Sequence, residues 1–126
     1  VATPSDSVAA VVLERGIGGW GQGADYSFRF NTTGLAQYHG GLRALLKGDY
    51  QAVMDSPTVV AVRSLVRPGT LEYSHAFCHD AATALVRLIL IDSSRVEVAA
   101  GCAAPVKNIR VAAGLDALGG GLRWRS

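Results

Sequence analysis

Residues 26–40, YSFRFNTTGLAQYHG, decide the fold. Tyr26, Phe28 and Phe30 alternate with Ser27 and Arg29, the period-two pattern of a strand with one buried face. Asn31-Thr32-Thr33-Gly34 is a turn signal. A three-residue loop with Gly34 in the left-handed conformation pairs Asn31 with Leu35. That register sets Phe28 opposite Tyr38, Phe30 opposite Ala36 and Arg29 opposite Gln37. A two-residue loop would set Phe28 against Gln37 and mix the two faces, so the apolar pattern selects the first register.

Working outward from this hairpin, residues 8–14, VAAVVLE, read as a buried strand. A glycine-rich connection, GIGGWGQGAD at 16–25, leads into the hairpin. Residues 41–54 carry LRALL between glycines, which oppose a long helix; the expectation is irregular extended structure ending in a short strand near Tyr50–Met54. Asp55-Ser56-Pro57 opens a helix, with Ser56 as cap and Pro57 in the first turn. Val59, Val62 and Val66 share its inner face, and Pro68-Gly69 stops it. TALVRLILI at 83–91 is apolar on both faces apart from Arg87, as expected of an interior strand. It returns through VEVAA at 96–100, with Ile91 facing Val96 and Ile89 facing Val98. Pro105 begins a second helix that ends at Gly119-Gly120-Gly121. Two stripes lie at helical spacing on it: Val111, Leu115 and Leu118, and Val106, Ile109 and Ala113. The order predicts an α+β fold, an antiparallel sheet built from two β-β-α halves with two helices packed on one face. Residues 8–126 form one domain, and residues 1–7 are expected to be a flexible tail.

The chain has 126 residues, 49% hydrophobic and 17% charged, with a formal net charge of +2. This apolar content excludes intrinsic disorder. The weak charge argues against neutralising nucleic-acid phosphates, so no nucleic-acid partner is expected. No stretch approaches the ~20 apolar residues of a membrane span. Cys78 and Cys102 are the two cysteines, and such a pair favours one disulfide in an oxidising compartment. For the bridge to form, residues 78–82 must fold back instead of extending the following strand. The opening VATPSDS is polar, contains Pro4 and lacks a starting Met, as expected either of a mature exported protein or of a chain trimmed at this end. The expected location is extracellular or periplasmic.

Val11–Gly40 resembles an uncharacterised family of small exported bacterial domains, many of them lipoproteins. Glu14-Arg15-Gly16, the Gly18–Gly23 connection, Tyr26-Ser27, Gly34 and Tyr38-His39-Gly40 carry the likeness. Asp80 before an apolar hairpin and Pro105 before the last helix extend it. The connection lacks the paired cysteines often found there. The resemblance implies the fold and export, and no activity.

Four clusters are candidate sites. Gly16-x-Gly18-x-x-Gly21 has a phosphate-cradling spacing, but a dinucleotide site needs a helix next and the following residues read as strand. It is read as a strand connection, with Trp20 covering the sheet edge or touching a partner. The loop 72–80 holds His75, Cys78, His79 and Asp80. Three of these can converge on a metal, although their spacing matches no zinc finger and a disulfide removes Cys78 as a ligand. Arg123, Trp124 and Arg125, with Arg110, form a basic aromatic end of the kind that anchors protein interfaces. The aromatic hairpin reads as core beneath the helices. The carboxylates are scattered and suggest no acid–base pair. The expectation is therefore a non-catalytic exported module acting through protein contacts or self-association, including as a subunit of an envelope or extracellular assembly, with no cofactor. The alternative is a small metal-binding protein or enzyme using loop 72–80.

Overall fold

Strand β1 (Val8–Gly16) pairs on both sides, so its apolar run has no exposed edge. A computed structural model describes residues 7–126, and all but Ser7 of the expected tail lies outside the described residues. β1 is followed by β2 (Tyr26–Asn31), β3 (Leu35–Gly40), β4 (Gly48–Val53), α1 (Ser56–Leu65), β5 (Thr83–Leu90), β6 (Arg95–Ala99) and α2 (Val106–Gly120). The six strands form one antiparallel sheet in the order β4-β3-β2-β1-β5-β6. The fold is α+β, with both helices on one face of the sheet. Four strands precede α1, and β5-β6-α2 is the second, shorter half. No helix among the described residues is long and apolar enough to cross a membrane.

The β2–β3 hairpin has the expected register, with Phe28 opposite Tyr38 and Arg29 opposite Gln37. Gly34 has φ +110° and its N–H donates to the Asn31 carbonyl at 3.0 Å. The β5–β6 hairpin differs from expectation. Leu88 faces Val96 and Val86 faces Val98, while Ile91 sits in the turn, 70% exposed. The loop holds three residues, 91–93, one fewer than the four that the expected pairing encloses. Leu90 N–H donates to the Ser94 carbonyl, and Ser93 takes the left-handed position at φ +71°. This shift puts Val86 and Leu88 on the helix-covered face with Val96 and Val98, which buries them better than the expected pairing.

Phe30, Leu13, Leu88 and Leu115 are fully buried between sheet and helices. Each such side chain stabilises the fold by about 1.5–3 kcal/mol through burial. A register shift at Val8–Ala10 lets both Val8 and Val11 join this core. Asp55, not Ser56, caps α1: its carboxylate accepts from Thr58 N–H at 2.9 Å and the Thr58 hydroxyl at 2.6 Å. Those bonds hold the Asp55 carboxyl below its ordinary pKa. Pro57 occupies the first turn, where its missing N–H costs nothing. Val62 and Val66 are buried, with Val59 packed beside them.

α2 crosses the strands. Near its start, Asn108 is fully buried beside β6 and hydrogen-bonds the Ala99 carbonyl at 2.9 Å. Further on, Asp116 accepts from Arg15 of β1 and from the Tyr26 hydroxyl of β2 at 2.7 Å. At its end Gly119 lies against the Phe28 ring. Of its two stripes, Val111, Leu115 and Leu118 face the core, whereas Val106 and Ile109 face solvent.

Candidate functional site

Three connections meet at one end of the sheet: the β1–β2 loop (17–25), the β3–β4 loop (41–47) and the segment 70–82 before β5. Backbone and side-chain bonds join them. Gly19 N–H donates to the Asp80 carbonyl at 2.9 Å, and the Gln22 amide donates to the same oxygen at 2.7 Å. Gly41 N–H donates to the Asp25 carbonyl at 2.8 Å, and the Asp25 carboxylate accepts from Arg43 N–H at 2.8 Å. Close approach is part of the design. A Cβ on Gly41 would overlap the Asp25 carboxylate, and one on Gly19 would meet that of Asp80.

This hydrogen-bonded frame holds apolar side chains out in solvent. Trp20 is 85% exposed, Leu42 is 86% exposed, and Leu45 is fully exposed. Phe77 and Tyr73 are exposed on the third segment. Behind Leu45 and Leu46 lies a cleft of about 350 Å³ walled by Tyr26, Phe28, Tyr38 and Trp124. The rings touch one another, with Phe28 and Trp124 stacked at 5.7 Å and Phe28 and Tyr38 tilted at 5.2 Å. The polar atoms at its rim are already bonded. Tyr38 donates to the Leu46 carbonyl, Tyr26 to Asp116, and the Trp124 ring N–H to the Gly119 carbonyl. Burial and the Asp116 hydrogen bond push the Tyr26 pKa up to about 12. Burial, then the nearby Asp25 charge, raises that of Tyr38.

The sequence-derived candidates separate in space. Trp20 stands at the loop end. Trp124 turns inward and completes the aromatic wall. Arg123 and Arg125 flank it on an extended segment that bridges the outer edge of β4, where Gln51 and Arg125 exchange two backbone bonds at 2.8 Å. Alternation along that segment places the two arginines on the sheet face without helices. Cys78 and Cys102 form a disulfide with Cα atoms 5.4 Å apart, and residues 78–82 fold back as required, with Asp80 at φ +58°. His79 and Asp80 approach to 3.4 Å, while His75 is exposed beside a separate cavity of about 340 Å³ with Phe77 and Cys102. Among the described residues, no three His, Cys, Asp or Glu side chains are grouped to hold a metal ion.

Leu42 and Leu45 were not among the sequence candidates. Their signal is LRALL enclosed by Gly40-Gly41 and Gly48, three leucines in a stretch too short to bury them.

On the sheet face away from the helices, Arg87 lies between Glu14 and Glu97, 2.9 and 3.4 Å away. Burial works against its charge, and the two carboxylate hydrogen bonds outweigh it, so its pKa is raised. Compared with known proteins, the chain matches no family model, no curated protein and no solved structure.

Proposed function

We propose that the protein is a non-catalytic exported bacterial module that works by contacting another protein, with the loop end of the sheet as its binding surface. One observation carries this reading: Trp20, Leu42, Leu45 and Phe77 project into solvent from segments fixed to one another by hydrogen bonds. Exposed apolar groups on a preorganised frame lose little conformational entropy on binding. Aromatic anchors of this kind dominate protein interfaces. The Cys78–Cys102 disulfide supports residence in an oxidising compartment, outside the cytosol. Within such a compartment the module is a subunit of an envelope or extracellular assembly.

Photo-activatable cross-linkers placed at positions 20 and 45, and at the exposed helix position 63 as control, test this. Adducts to a protein, whether a second copy or another chain, are expected from positions 20 and 45 in cells making the protein. Absence of protein adducts there, or equal labelling from position 63, would overturn the reading.

A further inference from the structure

The strand registers align a row of side chains across the open sheet face, at right angles to the strands: Arg125, Gln51, Gln37 and Arg29. Neighbouring strands are ~4.8 Å apart, so Arg125 and Arg29 lie ~14 Å from each other. Arg123 stands beside Arg125 on the same face. Arg29 bonds to the Asn31 side chain at 3.0 Å, and among the described residues none of these three arginines has a carboxylate partner. Among the described residues on this half of the face, the Asp49 carboxylate pairs with His39 at 2.7 Å. A shallow depression of about 600 Å³, lined by Leu35, Gln51 and Val53, opens at the Arg123–Arg125 end.

We propose that this half-face binds an acidic, extended segment of a protein partner laid across the strands. The proposal rests on the protein-contact reading above but uses a different surface. Side chains i and i+4 of an extended chain are ~14 Å apart, the separation of Arg125 from Arg29. Carboxylates at those positions meet a guanidinium at each end, and guanidinium groups pair with carboxylates through two parallel hydrogen bonds. Gln37 and Gln51 offer both donors and acceptors to the backbone between. Leu35 and Val53 accept one apolar side chain of the segment.

The test is an NMR titration of the isotope-labelled chain with a peptide of alternating Glu and Ser carrying one Leu. Its Gln-for-Glu counterpart and a polygalacturonate oligomer serve as comparisons. Amide shifts are expected at Arg29, Gln37 and Gln51, fading with added salt. Combining Arg29→Gln with Arg125→Gln should weaken binding roughly tenfold, while Arg63→Gln on α1 combined with Arg67→Gln in the turn after it leaves it unchanged. No shifts, shifts elsewhere, or equal binding of the Gln peptide would overturn the proposal. So would binding of the uronate oligomer in the peptide's place, which would make the face a glycan site. If these shifts appear while positions 20 and 45 give no adduct, the loop-end reading alone fails.

Discussion

Asn108 and Glu72 are joined by two hydrogen bonds: the Asn108 side-chain oxygen accepts from Glu72 N–H at 2.9 Å, and its amide donates to the Glu72 carbonyl at 2.8 Å. The same amide donates to Ala99, so one fully buried side chain ties α2, β6 and the segment before β5 together. Asn108→Leu leaves these backbone groups without partners and should cost roughly 2–4 kcal/mol, read as a lowered urea midpoint. Asn108→Asp sets a carboxylate against two carbonyl oxygens and favours the protonated acid. A folded pKa raised above the unfolded one means that stability falls as pH rises past the unfolded value. This variant should therefore lose more stability at neutral pH than in acid.

The disulfide closes the same region covalently, with a sequence separation of 24. Replacing both cysteines with serine should lower stability by about 3–4 kcal/mol in the chain-entropy description. Chemical denaturation measures the loss. The intact parent protein should be lighter than its reduced form by the two thiol hydrogens.

Two neighbouring glycines at the end of α2 should respond in opposite directions. A Cβ on Gly119 would lie 2.6 Å from the Phe28 ring, which is held by Trp124 and Tyr38, so Gly119→Ala should destabilise by about 1–3 kcal/mol. A Cβ on Gly120 meets nothing within 4 Å, and Gly120→Ala should stabilise by about 0.5 kcal/mol through helix propensity. Thermal unfolding followed by tryptophan fluorescence distinguishes them.

Tyr26 sets an alkaline limit. Its pKa is about 12 in the folded chain against 10.0 ordinarily, because burial and Asp116 favour the neutral hydroxyl. Above pH 10 the unfolded chain loses this proton first. The stabilisation is thus complete below about pH 10 and declines towards pH 12. Stability measured across this range should fall less steeply in Tyr26→Phe.

The two hairpins explain which parts of the fold were legible in the sequence. Both use a three-residue loop with a left-handed third residue. In β2–β3 that residue is Gly34, which announces itself. In β5–β6 it is Ser93, an L-residue in a conformation it rarely adopts, stabilised locally by Asp92 accepting from Ser94. Nothing in the residue type marks it, so the apolar pattern alone sets the register three residues away from the one the structure has. Of the exposed apolar side chains at the loop end, the sequence marks Trp20, and loop 72–80 is marked only for its histidines, Cys78 and Asp80. Leu42 and Leu45 were hidden because apolar residues ordinarily signal burial. The inward turn of Trp124 depends on pairing with β4, a contact between distant parts of the chain that local pattern does not encode.

The position of β1 has a consequence for how the chain acquires its structure. β1 precedes the other five strands in the chain, yet it sits between β2 and β5, and its pairing with β5 joins residues about seventy apart. As synthesis proceeds, β1 to β4 can zip sequentially through neighbouring hairpins. During that interval the other edge of β1, with Val11 and Leu13, has no strand beside it. Such an unpaired apolar edge can recruit a wrong strand until residues 83–90 emerge. Completion of the β1–β5 ladder, a non-local event, is accordingly expected to be a slow and aggregation-sensitive step of folding.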